Sequence, residues 1–159
     1  MPLRHRCLGA LLLAGLAAHA LADDFVGRYI VRPSDRVSQV MDDNGQPKVV
    51  LTVSRDGDHY RMDLSPLLAE GGFDDVAADR RVDGQALANA LDYGRGDATP
   101  QATGIAGMAM NGMMSVALYR VAPNTPLNPG SPTPRVIGSD YFLVAQPMLA
   151  LELERLSDK

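Results

Sequence analysis

The chain has no tryptophan, one cysteine and three histidines, and most of these scarce residues sit together at its start. Met1–Ala22 holds His5, Cys7 and His19 within a basic opening (Arg4, Arg6), a short apolar run, Cys7–Ala18, and the small-x-small exit Ala20-Leu21-Ala22. That order is what a secretory signal peptide requires, so cleavage is expected after Ala22, giving a periplasmic address. The apolar run falls well short of the roughly 20 residues that cross a bilayer. No later run is long enough either, so no membrane span is expected. His5 separates Arg4 from Arg6, which removes the twin-arginine signal. Cys7 precedes the apolar run, on the wrong side of it for lipid attachment.

Each shortage excludes a chemistry. Beyond the leader, residues 23–159 have no cysteine and one histidine, His59, which removes disulfides, thiol catalysis and cysteine-ligated zinc. Glutamate is confined to Glu70, Glu152 and Glu154, and lysine to Lys48 and Lys159. The preference for Asp and Arg, with many Ala, Gly and Pro, fits a bacterial chain of GC-rich coding. Net charge is −4 for the whole chain and more negative once Arg4 and Arg6 leave. Nucleic acid and anionic lipid want a basic face, so neither is an expected partner.

Reactive constellations are equally sparse. His59 has no chain-local group to orient it as a base. Pro129-Gly130-Ser131-Pro132 lacks the second glycine of a nucleophile elbow. Asp56-Gly57-Asp58 has calcium-loop spacing without the later ligands, and Asp74, Asp75 and Asp79 stand near Arg80 and Arg81. No enzyme, metal or cofactor is expected.

What is present reads mainly as strand. A domain without disulfides must stand on its core, and a chain of this length buries roughly two-thirds of its unfolded surface. Placing Asp56-Gly57 at the centre of a tight turn pairs Val53 with Tyr60, Leu51 with Met62 and Val49 with Leu64, all on one buried face, leaving His59 opposite Ser54 on the wet face. Asn111-Gly112 predicts a second hairpin, Thr103–Met110 with Met113–Val121, setting Met108 against Ser115 and Ile105 against Leu118. Asp140–Ala145 and Met148–Arg155 read as two more strands, with a helix as the rival for the last, and Phe25–Arg32 as an opening one.

Between the hairpins, Ser65-Pro66 predicts a short helix, and Asp83 caps a second helix over Gly84–Tyr93 stopped by Gly94. Gly71–Val82 and Gly94–Ala102 read as loops. Ser65–Ala102 is thus a partly helical excursion, packed on one face of the sheet or closing an open end. The fold class expected is all-β or β-dominated α+β: a small antiparallel barrel or sandwich of about seven strands in a single domain over 23–159.

Two segments have a contact-like composition. Met108, Met110 and Met113 fall on one face of the second hairpin, and Met side chains make adaptable contact surfaces. Pro123, Pro126, Pro129 and Pro132 recur every third residue, the period of a polyproline II rod that loses little entropy on docking. These seven residues are the expected partner-binding set. The function expected is a non-catalytic periplasmic protein-binding module, as an immunity or inhibitor protein against a basic toxin or cell-wall lytic enzyme. Two alternatives stand beside it: a small-ligand carrier, and a copper protein using the soft Met sulfurs. Gly27-Arg28-Tyr29 on an opening strand loosely resembles small lipocalin-like barrels, whose pattern has tryptophan after its glycine where this chain has none. Small periplasmic lysozyme inhibitors are similar in size and β content but usually carry cysteines. The residues assign the chain to no family.

Overall fold

A computed structural model describes residues 25–157 apart from 35, 70, 95 and 148. The predicted leader and its cleavage point, with Glu70, Met148 and Lys159, lie outside the described residues. In chain order the elements are β1 (Gly27–Val31), β2 (Val49–Asp56), β3 (His59–Asp63), β4 (Val76–Ala78), β5 (Arg80–Asp83), α1 (Gly84–Ala90), β6 (Ala102–Ala109), β7 (Met114–Val121), β8 (Thr125–Pro126), β9 (Val136–Ile137), β10 (Tyr141–Gln146) and β11 (Leu149–Arg155).

Nine strands form one antiparallel sheet in the order β4-β3-β2-β1-β11-β10-β7-β6-β5, and β8 pairs only with β9. The two edge strands, β4 and β5, are consecutive in the chain and separated by Asp79 alone. The sheet has therefore curled until its edges meet, with one kinked segment serving both. Gly107 on β6 marks the join, because a Cβ there would come within 2.1 Å of the Ala77 carbonyl oxygen. The architecture is a small, nearly closed β barrel, the class the alternating strands imply.

Inward positions fill the barrel. Tyr29, Leu51, Val53, Tyr60, Met62, Ile105, Leu118, Leu143 and Leu153 belong to one buried cluster. A second cluster covers part of the outside, where Leu87 of α1 and Leu127 and Ile137 of the β8–β9 hairpin pack on Ala106, Ala117, Tyr119, Phe142 and Val144. Of the two placements expected for the helical excursion, packing on one face is the one found. No helix among the described residues is long and apolar enough to cross a membrane.

The first hairpin turns one residue later than expected. Asp56 pairs with His59, Arg55 with Tyr60 and Val53 with Met62, so Gly57-Asp58 is the central pair. Gly57 has φ +58° while Asp58 does not enter the positive region, the type II′ pattern with glycine first. Every pair slides by two residues, so the faces survive: Val53 is buried and His59 exposed. A bulge opposite Tyr29 and Ile30 puts Val50, not Val49, in the core. The second hairpin keeps its expected register, Met108 to Ser115 and Ile105 to Leu118. The last segment is strand rather than helix, with Leu151 and Leu153 inward.

Three expectations between the hairpins are overturned. Ser65-Pro66 makes a single turn, in which the Leu68 N–H donates to the Leu64 carbonyl at 2.8 Å; the Ser65 hydroxyl donates to Asp63 (2.7 Å) instead of capping a helix. Gly71–Val82 is not loop, since it contains β4 and most of β5. Helix α1 has its expected cap, Asp83 accepting from the Gln85 and Ala86 N–H groups, but ends before Tyr93. Asp92 takes φ +56° and the Tyr93 N–H reaches back to the Ala88 carbonyl at 3.0 Å, an early left-handed stop.

The proline stretch is not a rod. Asn124 has φ +60°, and the chain doubles back so that Thr125 pairs with Ile137 and the Leu127 N–H donates to the Arg135 carbonyl at 2.7 Å. A polyproline II helix makes no such internal bonds. Burial of Leu127 and Ile137 on the outer wall outweighs the preference of the prolines for extension.

Candidate binding mouth

One end of the barrel gathers arginine. Alternation along β2 carries the inward face from Leu51 and Val53 to Arg55; along β7 from Leu118 to Arg120; along β11 from Leu151 and Leu153 to Arg155. On β5, Arg81 lies opposite inward-facing Ile105. The β2–β3 tip and the ends of β7 and β11 share this end of the barrel with the starts of β1, β6 and β10. Arg55, Arg120 and Arg155 thus share one opening, and Arg81 joins Arg55 over the Tyr60 ring.

Their floor is aromatic. The Arg55 guanidinium stands 4.7 Å from the centre of the Tyr60 ring, Arg81 4.9 Å from Tyr60 and 5.6 Å from Phe25, and Arg155 5.5 Å from Tyr141. Arg81 also donates to the Tyr60 hydroxyl at 3.0 Å. The rings pack edge-to-face, Phe25 on Tyr60 at 5.9 Å and Tyr29 on Tyr141 at 5.1 Å. The Tyr29 hydroxyl donates to the Phe25 carbonyl at 2.6 Å and so fixes Phe25 in the opening. Cation–π attraction offsets the mutual repulsion of Arg55, Arg81 and Arg155 and holds their heads over the rings.

Arg55, Arg120 and Arg155 line an open cleft of about 910 Å³ with Ser139, Asp140 and Tyr141. Guanidinium offers a rigid planar fork that matches carboxylate or phosphate oxygens two at a time. Several such forks in one opening are suited to hold an acidic group. The Ser139 hydroxyl donates to the Tyr141 carbonyl at 2.8 Å.

The sequence-derived contact residues lie elsewhere. The β6–β7 hairpin tip is at the opposite end of the barrel. Met113 is 75% exposed there and Met108 46%, with the Arg80 guanidinium 3.8 Å from the Met108 sulfur. Met110 does not share their face: it adopts φ +51°, its N–H donates to the Gly72 carbonyl at 3.4 Å, and its side chain packs on the interior cluster. Pro123 and Pro132 are exposed, while Pro126 and Pro129 are half-buried. The Tyr93 hydroxyl donates to the Pro126 carbonyl, tying that hairpin to the segment after α1. The fold does not bring the methionines and prolines together.

Several acidic residues are engaged by other groups, and Asp140 and Glu154 line the cleft beside the arginines. Arg61 bridges Asp75 and Asp56, and both hold its guanidinium still more firmly protonated, Asp75 first. Glu152 accepts from the Gly138 N–H at 2.9 Å, and Glu154 lies 3.8 Å from Arg32. Among the described residues no three His, Cys, Asp or Glu side chains converge as a metal site. The arginine mouth escaped sequence reading because Arg55, Arg120 and Arg155 each stand within two residues of a strand end and look like solvated ends; continuing the two-residue alternation one step would have found all three. No family model matches this chain, and no curated protein or solved structure matches it either.

Proposed function

We propose that the protein is a non-catalytic binding module that docks another protein at the arginine mouth, through acidic side chains of that partner. The observation that supports this is the gathering of Arg55, Arg120 and Arg155 at one cleft, with Arg81 beside Arg55 over the Tyr60 ring. The partner chemistry differs from the basic partner that net charge suggests, because a local field, rather than the molecular total, meets a docking surface. An inhibitor of a cell-wall lytic enzyme working outside the cytoplasm fits this chemistry, since glycosidases commonly act through a pair of exposed carboxylates. A packed barrel suits the role: an interior filled by Tyr29, Leu51, Met62 and Leu118 keeps the arginine positions fixed and lowers the entropy lost on docking.

The test is calorimetric titration with a glutamate-rich peptide and, separately, a lysine-rich one, at low and high salt. The acidic peptide should bind and weaken steeply with salt, and the Arg120→Ser, Arg155→Ser double variant should lose at least about tenfold in affinity. Preference for the lysine-rich peptide, or acidic binding untouched by the double variant, would overturn the reading.

A further inference from the structure

The outer wall carries a second concavity, away from the mouth. Between α1 and the outward faces of β5, β6, β7 and β10 lies a cleft of about 250 Å³. Ala86 and Ala90 of the helix face Ala106 and Ala117 of the sheet across it, and Arg80 and Asn89 contribute to its lining. Small residues alone mark only the spacing of a helix on a sheet. Tyr119, which also lines the cleft, adds something else.

The Tyr119 ring passes over Gly104, where a Cβ would lie only 2.9 Å from it. The residue is 2% exposed, and its hydroxyl forms no hydrogen bond with any described residue. No fully enclosed side-chain polar atom lacks a partner among the described residues. The hydroxyl is therefore not fully enclosed, and Tyr119 is among the residues that line the cleft. A hydroxyl on so buried a residue is ordinarily paired, so this one is a hydrogen-bonding group held ready beside a slot whose walls carry alanines, with Arg80, Asn89, Ser115 and Gln146 as its polar lining. Burial, with help from Asp83 and against Arg80, pushes its pKa up to about 12. At neutral pH it is protonated and can donate.

We propose that this cleft binds a small, flat, uncharged molecule bearing a carbonyl-type acceptor, which takes the Tyr119 hydrogen bond while its ring lies between the two pairs of alanines. A cavity of about 150 Å³ holds a benzene ring, so this one has room for a ring with a substituent. The slab between helix and sheet selects flatness, and the alanine walls select apolar faces. Asp83 outweighs Arg80 in its effect on Tyr119, which favours the neutral hydroxyl as a donor. Nothing in this inference depends on the arginine mouth.

The experiment titrates the purified protein with benzamide and with toluene as probes, followed by amide chemical shifts. Benzamide should saturate, with shifts centred on Ala86, Ala90, Ala106, Ala117 and Tyr119. Tyr119→Phe keeps the ring and removes the hydroxyl, so benzamide should weaken about tenfold while toluene is unaffected. Ala86→Leu, at a half-buried helix position, should fill the slot and abolish both, with shifts elsewhere unchanged. Failure of benzamide to saturate at its solubility limit, equal affinity for the Tyr119→Phe protein, or shifts centred elsewhere would overturn the proposal.

Discussion

Arg55, Arg120 and Arg155 illustrate how a residue's role depends on the parity of its strand. Each long side chain keeps its charged head exposed while its stem continues an apolar inner face, and the rings below Arg55 and Arg155 give those guanidinium groups a reason to stay. Tyr119 is the converse case, an aromatic on the outer face that burial protects from ionising. Its folded pKa of about 12 lies above its ordinary value of 10.0, so the folded state retains a proton that the unfolded chain releases. The stabilising contribution is complete below pH 10 and is lost as pH rises from there towards 12. Urea midpoints measured across that window should fall less steeply in Tyr119→Phe than in the parent protein. Parallel curves would mean that Tyr119 ionises no later when folded. Tyr93, also shifted upward by burial and then by Asp97, is unchanged in both proteins and cancels from the comparison.

At the scale of elements, legibility follows whether the signal is local. Asn111-Gly112 carries its own turn geometry, and the alternation of Leu151 and Leu153 with Glu152 and Glu154 specifies a half-buried strand, so both were readable. Asp83 announces α1 in the same way. Val76–Ala78 and Arg80–Asp83 have no such signal; they are strands because the distant β3 and β6 present edges to them, and tertiary pairing overrides composition. The proline hairpin was hidden for the same reason, its course being set by a wall built from residues far away in sequence. The closing elements are correspondingly sensitive. Gly107→Val would drive a side chain into the Ala77 backbone, and its cost should exceed the about 1–3 kcal/mol usual for overpacking, because neither strand can retreat without opening the seam. Equilibrium urea unfolding measures this; a loss below about 1 kcal/mol would show that the edges do not meet as described.

Across the whole molecule, an acidic chain carries a basic opening at one end, so charge is sorted by place rather than balanced throughout. Net charge read from composition describes solubility and long-range repulsion, whereas the mouth acts over roughly the 8–10 Å of a Debye length at physiological salt. The seam between β1 and β11 has a further meaning. Tyr29 pairs with Arg155 and Val31 with Leu153, so the first strand of the cylinder waits for the last. A growing or emerging chain therefore spends most of its history as an unfinished ribbon with two bare edges, the arrangement most open to pairing with a neighbour. A chain ending at Gln146 should accordingly sediment as aggregate where the complete one stays monodisperse, and a monomeric, cooperatively melting fragment would contradict this. That margin stays unclosed until the final seven-residue strand arrives to zip it shut.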